Sequence, residues 1–159
     1  MYPDFSDGLN KETDQAVYFF TPAFHPFDSF SAHRVKIWGL EFPTAEHAFQ
    51  WKKFSQVMPD ISALILEAPS PEAAKQISIE HKQDMPESWH KEKVAVMEEI
   101  FLAKAEQNRD VREALKRSDK RQIIENSPVD SFWGIGPNGN GENMVGKLWM
   151  KIRDNIIKN

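Results

Sequence analysis

Two segments of this chain carry residue types that can act on a sugar joined to a flat ring. In Pro43-Thr44-Ala45-Glu46-His47-Ala48-Phe49-Gln50-Trp51-Lys52-Lys53-Phe54 a carboxylate occupies the first turn of an otherwise aromatic-rich helix. In Ser127-Pro128-Val129-Asp130-Ser131-Phe132-Trp133-Gly134-Ile135-Gly136 a second carboxylate stands beside an indole and a glycine turn. Hydrolysis at an N-glycosidic carbon passes through an oxocarbenium-like state, so a nearby carboxylate stabilises the developing positive charge and can activate water. Glu46 is the first candidate for the water and the anomeric carbon, with Asp130 binding ribose or shaping its loop; the two roles are exchangeable at this level. Trp89 and Trp133 offer broad π faces, and stacking a base on such a face contributes about 1–3 kcal/mol. Lys53, Asn143 and the amides of the glycine turn are candidate phosphate or ribose contacts.

Each of these residues also has a purely structural use. An acid in a first turn opposes the helix macrodipole, which suits Glu46 without any chemistry. Aspartates in turns commonly bind their own backbone, and tryptophans in small domains are commonly core residues. Lys53 reads equally as a solvated helix lysine. His47 adjoins Glu46 but projects about 100° away around a helix, so it need not share the same site and reads first as a structural or helix-surface residue. Gly134, Gly136 and Gly139 satisfy the G-x-G-x-x-G dinucleotide spacing, but the context of an early strand–turn–helix unit is missing. The five histidines show no i, i+4 pair with a third ligand, so no zinc site is expected. No metal and no organic cofactor is called for.

Composition bounds the rest. At 159 residues, 40% hydrophobic and 28% charged, the chain suits one globular domain with a core of its own. The net charge of -4 comes without a Lys/Arg block, which argues against a nucleic-acid footprint or a polybasic membrane patch while leaving nucleotides open as ligands. Cysteine is absent, excluding disulfides, thiol catalysis and thiolate metal sites. With no secretory apolar segment and no apolar run of membrane length, a cytoplasmic location is expected, with no membrane association and no obligate protein partner evident.

The elements that must position these residues follow from local signals. Residues 1–15 read as a flexible polar tail and 16–159 as the domain. Ala16 to Phe20 reads as a strand stopped by Pro22, and Val35–Trp38 and Leu40–Phe42 as a hairpin around Gly39. Thr44 is an N-cap for a helix that turns Ala45, Ala48, Phe49 and Phe54 inward. Further helices are expected from Asp60 to Glu67, from the Ser70-Pro71-Glu72 cap, from about Ser88 to Glu106 and from near Asn108. Met97, Ile100, Phe101 and the stem of Lys104 should line one face of the longest of these, together with Val94. Ile123-Ile124-Glu125 is a brief strand, and a last helix begins near Asn143 with Val145, Leu148, Trp149, Ile152 and Ile156 as its inner stripe. The expected class is mainly α: a single compact helical domain with a small β hairpin and short β elements near the active site.

In their order along the chain these segments resemble the NADAR (YbiA-like) family. The matching residues are Ser29-Phe30, the stretch from Pro43 to Gln50 with Lys53-Phe54, Trp89 with Lys93 and Val96-Met97, Asp130 to Gly134, and Gly139 to Gly146 with Leu148, Met150 and Arg153. The resemblance implies an N-glycosidase that cleaves the C1'–N bond of phosphorylated ribosylaminopyrimidine intermediates of riboflavin biosynthesis, releasing ribose 5-phosphate as a form of damage control. Other members of the family remove ADP-ribose from guanine in nucleic acid; that activity, with ADP-ribosylated nucleic acid as partner, and a non-catalytic ADP-ribose or nucleotide-binding module are the alternatives. By this resemblance the family's functional glutamate, aspartate and two tryptophans map onto Glu46, Asp130, Trp89 and Trp133; Glu46 and Asp130 are expected to be catalytic, and Trp89, Trp133, Lys53, Phe30, Gly134 and Asn143 to contact substrate. The chain departs from the family at Asp28-Ser29-Phe30, where Ser-Asn-Phe is usual, and at Pro86, where an arginine is common; both changes bear on substrate identity.

Overall fold

The computed structural model describes residues 8–20 and 25–158, which form six α-helices and five short strands, the mainly α class expected. By their contacts the described residues divide into two units, one spanning Ser29–Asn108 and the other combining those of 1–28 with those of 109–159.

The Ser29–Asn108 unit opens on the expected hairpin, β3 (Val35–Ile37) and β4 (Leu40–Phe42), paired antiparallel with Ile37 opposite Leu40. Trp38 and Gly39 both have positive φ, 54° and 78°, as a two-residue turn that follows strand twist requires. Glycine adopts this freely, whereas a tryptophan pays about 1–2 kcal/mol for a left-handed backbone. Its side chain offsets that cost. The indole stacks on Trp51 at 5.9 Å and 18°, lies 4.8 Å beneath Lys52 Nζ, and donates to Glu99 Oε1 at 3.0 Å; aromatic and cation–π contacts of this kind are each worth about 0.5–1.5 kcal/mol.

Pro43 ends the hairpin and α1 (Ala45–Phe54) follows, its Thr44 Oγ1 accepting from the His47 amide at 3.1 Å. Two short helices come next: α2 (Pro59–Leu66) and α3 (Pro71–Glu80), the latter capped by Ser70 Oγ on the Ala73 amide at 3.0 Å. Phe54, Ile61, Ile65, Ala68 and Ala74 form the core where these three helices meet, with Trp51, Ile77 and Met85 against it. A 3₁₀ turn at Lys82–Asp84 leads to α4 (Trp89–Gln107). Met97, Ile100 and Phe101 are buried on α4 as its spacing predicts, while Val94 is only half-buried. Lys104 exceeds the expectation of a buried stem: its whole side chain is inside, with Nζ donating to Ser31 Oγ at 2.7 Å. Gln107 at the end of α4 accepts from the Lys36 amide and donates to the Lys36 carbonyl, each at 2.7 Å, occupying the edge of β3 as a neighbouring strand would.

The second unit is built on a three-stranded sheet in the order β1 (Lys11–Glu12), β2 (Ala16–Phe19), β5 (Gln122–Glu125). β1 runs antiparallel to β2 and β5 runs parallel to it, Val17 facing Ile123. Lys11 and Glu12 were assigned by the sequence to the loose tail; instead they pair with β2, because Asn10 clamps the Phe20 backbone from both sides (2.6 and 2.7 Å) and Arg121 Nη2 binds Glu12 Oε1 at 3.4 Å. Residues 1–7 of that tail, and Pro22, lie outside the described residues. α5 (Arg109–Ser118) buries Val111 and Leu115 as expected. α6 (Met144–Lys158) buries Val145, Leu148, Trp149 and Ile152, and Trp149 Nε1 donates to the Phe27 carbonyl at 2.9 Å. Gly146 brings α6 against β5: a Cβ there would overlap the Ile123 carbonyl and the Asn143 amide. No helix among the described residues is long and apolar enough to cross a membrane.

Candidate active site

The first turn of α1 places Glu46 inside the Ser29–Asn108 unit, only 6% exposed. Both of its oxygens are held: Oε2 accepts from Ser29 Oγ at 3.0 Å and Oε1 from Gln50 Nε2 at 2.7 Å. The Glu46 amide also donates to the Ser29 carbonyl at 3.0 Å, so the segment before the hairpin fixes the carboxylate through backbone and side chain alike. Macrodipole compensation alone would leave such an acid in solvent; burial with two neutral donors orients it instead. Gln50 lies one turn further along the same face and is itself 5% exposed, and its Oε1 has no hydrogen-bond partner among the described residues. A buried amide oxygen left unpaired costs about 1–3 kcal/mol, which a ligand hydroxyl would recover.

Lys53, a further turn along, donates from Nζ to Ser78 Oγ of α3 at 2.9 Å and lies 5.8 Å from the Phe49 ring and 6.0 Å from the Trp89 ring. Burial lowers its pKa from 10.5 to about 8, the neighbouring Lys93 and Lys75 charges add to that fall, and Glu46 opposes it. A solvated helix lysine would show none of this. Phe30 of the same unit has Lys75 Nζ 5.9 Å from its ring. Trp89 begins α4, is 3% exposed, and packs on Phe49 at 5.1 Å and 57°. It therefore supplies a wall more than an open stacking platform. One edge of it reaches an open groove of about 460 Å³ between the end of α1 and α4, which Lys52, Lys53, Pro86, Glu92 and Glu99 also line.

His47 belongs to the frame. Its Nε2 donates to the Ala68 carbonyl at 3.0 Å and its Nδ1 lies 2.8 Å from Thr44 Oγ1, so both ring nitrogens are occupied within the unit.

In the second unit Asp130 heads a tight loop. Its Oδ1 accepts from the amides of Phe132 at 2.9 Å and Trp133 at 2.8 Å, while Ser127 Oγ accepts from the Asp130 amide at 2.9 Å. This is the self-binding turn that aspartate favours. Trp133 is half-buried, its ring edge-on to Phe132 at 4.9 Å. Gly134 is buried where a Cβ would press on the Glu125 carbonyl and Ser127. The carbonyls of Phe132, Trp133 and Gly134 accept from the amides of Met144, Val145 and Asn143, so the loop caps α6. Asn143 holds β5, accepting from the Glu125 amide and donating to the Ile123 carbonyl, both at 2.9 Å. Gly139 and Gly141 donate to the Gly136 and Ile135 carbonyls within their own turn. These glycines shape the approach to α6, and the dinucleotide spacing is incidental.

Sequence reasoning named Glu46, Lys53, Phe30 and Trp89, and the structure gathers all four in one unit. It did not single out Gln50, Lys75, Lys93 or Ser78 as parts of a site. Gln50 was legible as the i+4 partner of Glu46, whereas Lys75 and Ser78 come from α3, whose placement beside α1 no local pattern reveals. Among the described residues no group of three or more histidines and acids is placed to hold a metal.

Comparison with known proteins agrees with this architecture. The NADAR domain family model matches residues 9–157. The chain is 35% identical over 131 residues to the N-glycosidase Npun_R5314 of Nostoc punctiforme, covering 82% of this chain and 84% of that protein. To the N-glycosidase YbiA of Escherichia coli K12 it is 30% identical over 130 residues, 82% of this chain and 80% of the relative. A Vibrio vulnificus protein named riboflavin biosynthesis protein VVA0006 matches 90% of this chain at 30% identity, across 39% of its own length. The NMR structure of E. coli YbiA superposes with a TM-score of 0.81 and 27% identity over 94% of this chain and 89% of that one. With a held carboxylate in the first turn of α1 and relatives of this kind along most of its length, the chain belongs to the NADAR domain family and is a hydrolase of N-glycosyl bonds.

Proposed function

We propose that this enzyme hydrolyses the C1'–N bond of a phosphorylated ribosylaminopyrimidine intermediate of riboflavin biosynthesis and releases ribose 5-phosphate. The observation that carries the reading is Glu46, a buried carboxylate oriented by Ser29 and Gln50. Relatives named for riboflavin biosynthesis support the choice of substrate. As the C1'–N bond breaks, its electron pair goes to the amine nitrogen, which takes a proton from solvent water and leaves as the free amine, and positive charge builds on C1' and the ring oxygen. Glu46 stabilises that charge and takes the proton of the water that bonds to C1'. Gln50 Oε1 accepts a ribose hydroxyl, Lys53 contacts the phosphorylated sugar, and Phe30 and Trp89 bound the space for the ring. Asp130 braces the loop that carries Trp133 and Gly134, and Asn143 fixes the start of α6.

Incubation of the protein with a ribosylaminopyrimidine phosphate, followed by chromatography for ribose 5-phosphate, tests this. ADP-ribosylated guanine DNA serves as the comparison substrate. The reading predicts ribose 5-phosphate from wild type and its loss in Glu46→Ala. Release of ADP-ribose alone, or undiminished turnover by Glu46→Ala, would overturn it.

A further inference from the structure

Beyond the carboxylate, the Ser29–Asn108 unit gathers lysines around the far end of α1. Lys53 of α1, Lys75 of α3 and Lys93 of α4 lie close enough for the last two to act on the charge of the first. Lys53 reaches Ser78, one turn beyond Lys75 on α3, and lies 6.0 Å from the ring of Trp89, one turn before Lys93 on α4. Three helices therefore bring their lysines to one neighbourhood beside the opposing charge of Glu46. Like charges gathered beside apolar rings repel one another, and an anion bound among them relieves that repulsion. Their surroundings suit a receptor. Phe49, Trp89 and Phe30 face Lys53 and Lys75 at 5.8–6.0 Å through ring faces, which attract an ammonium without occupying its N–H donors. Ser78, 4% exposed, already accepts from Lys53 at 2.9 Å and keeps its own hydroxyl hydrogen to donate.

We propose that the ammonium groups of Lys53, Lys75 and Lys93, together with the Ser78 hydroxyl, form the receptor for the terminal phosphate monoester of the ribosyl substrate. The assignment rests on the reading of that substrate as a ribosyl phosphate. Its geometry follows from α1: Glu46 and Lys53 are two turns apart on one face, about 10 Å along the axis, a span that ribose 5-phosphate bridges with its anomeric carbon at one end and its phosphate at the other. Lys75 is exposed, Lys93 half-buried and Ser78 buried, so the phosphate enters from the solvent side and settles against α3. The shared ligand chemistry is a phosphate on a ribose 5'-oxygen, which ADP-ribose also carries as a diester-like pyrophosphate; the dianionic monoester matches three cations better.

Calorimetric titration of wild type, Lys75→Gln and Lys93→Gln with ribose 5-phosphate, ribose and ADP-ribose decides the matter, alongside KM for the ribosylaminopyrimidine with and without its phosphate. Wild type should bind ribose 5-phosphate at least 10-fold more tightly than ribose, and each variant should lose most of that preference. The KM ratio between the two substrate forms should fall in parallel. Should the variants keep the wild-type preference for the phosphate, or should they weaken ADP-ribose while leaving ribose 5-phosphate untouched, the receptor is wrong even if the hydrolase reading stands. If wild type cleaves neither aminopyrimidine yet the ribose 5-phosphate titrations behave as stated, the substrate reading fails and the receptor survives. Melting temperatures no lower than that of wild type show that the variants fold.

Discussion

Lys53→Met should make the protein more stable while impairing it as an enzyme. Methionine keeps the apolar stem against Phe49 and Trp89 and removes the ammonium. The lysine pKa falls from 10.5 to about 8 through burial first and the Lys93 and Lys75 charges second, with Glu46 opposing. At about 1.4 kcal/mol per unit, and discounted for the part of the side chain that solvent screens, the charge costs the fold about 1–2 kcal/mol at neutral pH. The freed Ser78 hydroxyl can bond the carbonyl one turn back in its own helix, so its loss of Lys53 costs little. Thermal unfolding at pH 7 should show a melting temperature about 2–8 °C above wild type for a chain of this size. The pH dependence fixes the cause. Below pH 8 the folded and unfolded states both hold the proton and the fold bears the full cost. Between about 8 and 10.5 only the unfolded chain still holds it, so wild-type stability gains with rising pH and the advantage of the variant shrinks. A variant less stable than wild type at pH 7, or an advantage that widens towards pH 10, would refute the reasoning.

Three further outcomes follow from the geometry. Ligand binding should weaken above pH 8 in wild type as Lys53 loses its proton, and ribose 5-phosphate binding at that pH should take up protons, visible as a dependence of the binding heat on buffer ionisation. Gly146→Ala, which at an open helix position would stabilise by about 0.5–1 kcal/mol, should instead lower stability by about 1–3 kcal/mol or more, because the new methyl meets the Ile123 carbonyl and displaces Asn143 from β5; urea unfolding measures it. Asp130→Asn, whose amide oxygen can still accept from the Phe132 and Trp133 amides, should keep activity within about 10-fold, a margin well short of losing a general base. Asp130→Ala loses both bonds and should shift the Trp133 emission and cost about 1–2 kcal/mol.

Much of the fold was legible because its signals are local. Thr44 and Ser70 cap the helices they announce, Gly39 turns the hairpin, and Val145, Leu148, Trp149 and Ile152 are buried at the spacing that predicts them. What was not legible depends on distance along the chain. The parallel pairing of β2 with β5 joins Val17 to Ile123, and nothing in either short run specifies that partner. Lys11 and Glu12 read as tail because two polar residues carry no period; Asn10 and Arg121 decide their place. At the site, Glu46 and Lys53 were visible through type and spacing. Their environment was not: the same sequence fits a solvated acid and a solvated lysine until Ser29, Gln50 and Ser78 are brought to them. Trp89 shows the reverse case, an aromatic whose chemistry suggested an open stacking face and whose 3% exposure makes it a wall.

The most direct measurement of the central claim is the turnover of Glu46→Gln on a ribosylaminopyrimidine phosphate, read beside its affinity for ribose 5-phosphate. Glutamine keeps an acceptor for Ser29 and much of the shape, but it can neither take the proton of water nor balance the charge on C1'. The account predicts a fall in kcat of at least about 100-fold, with the dissociation constant for ribose 5-phosphate within a few-fold of wild type. Turnover preserved within about threefold, in a variant that folds and binds, would contradict it.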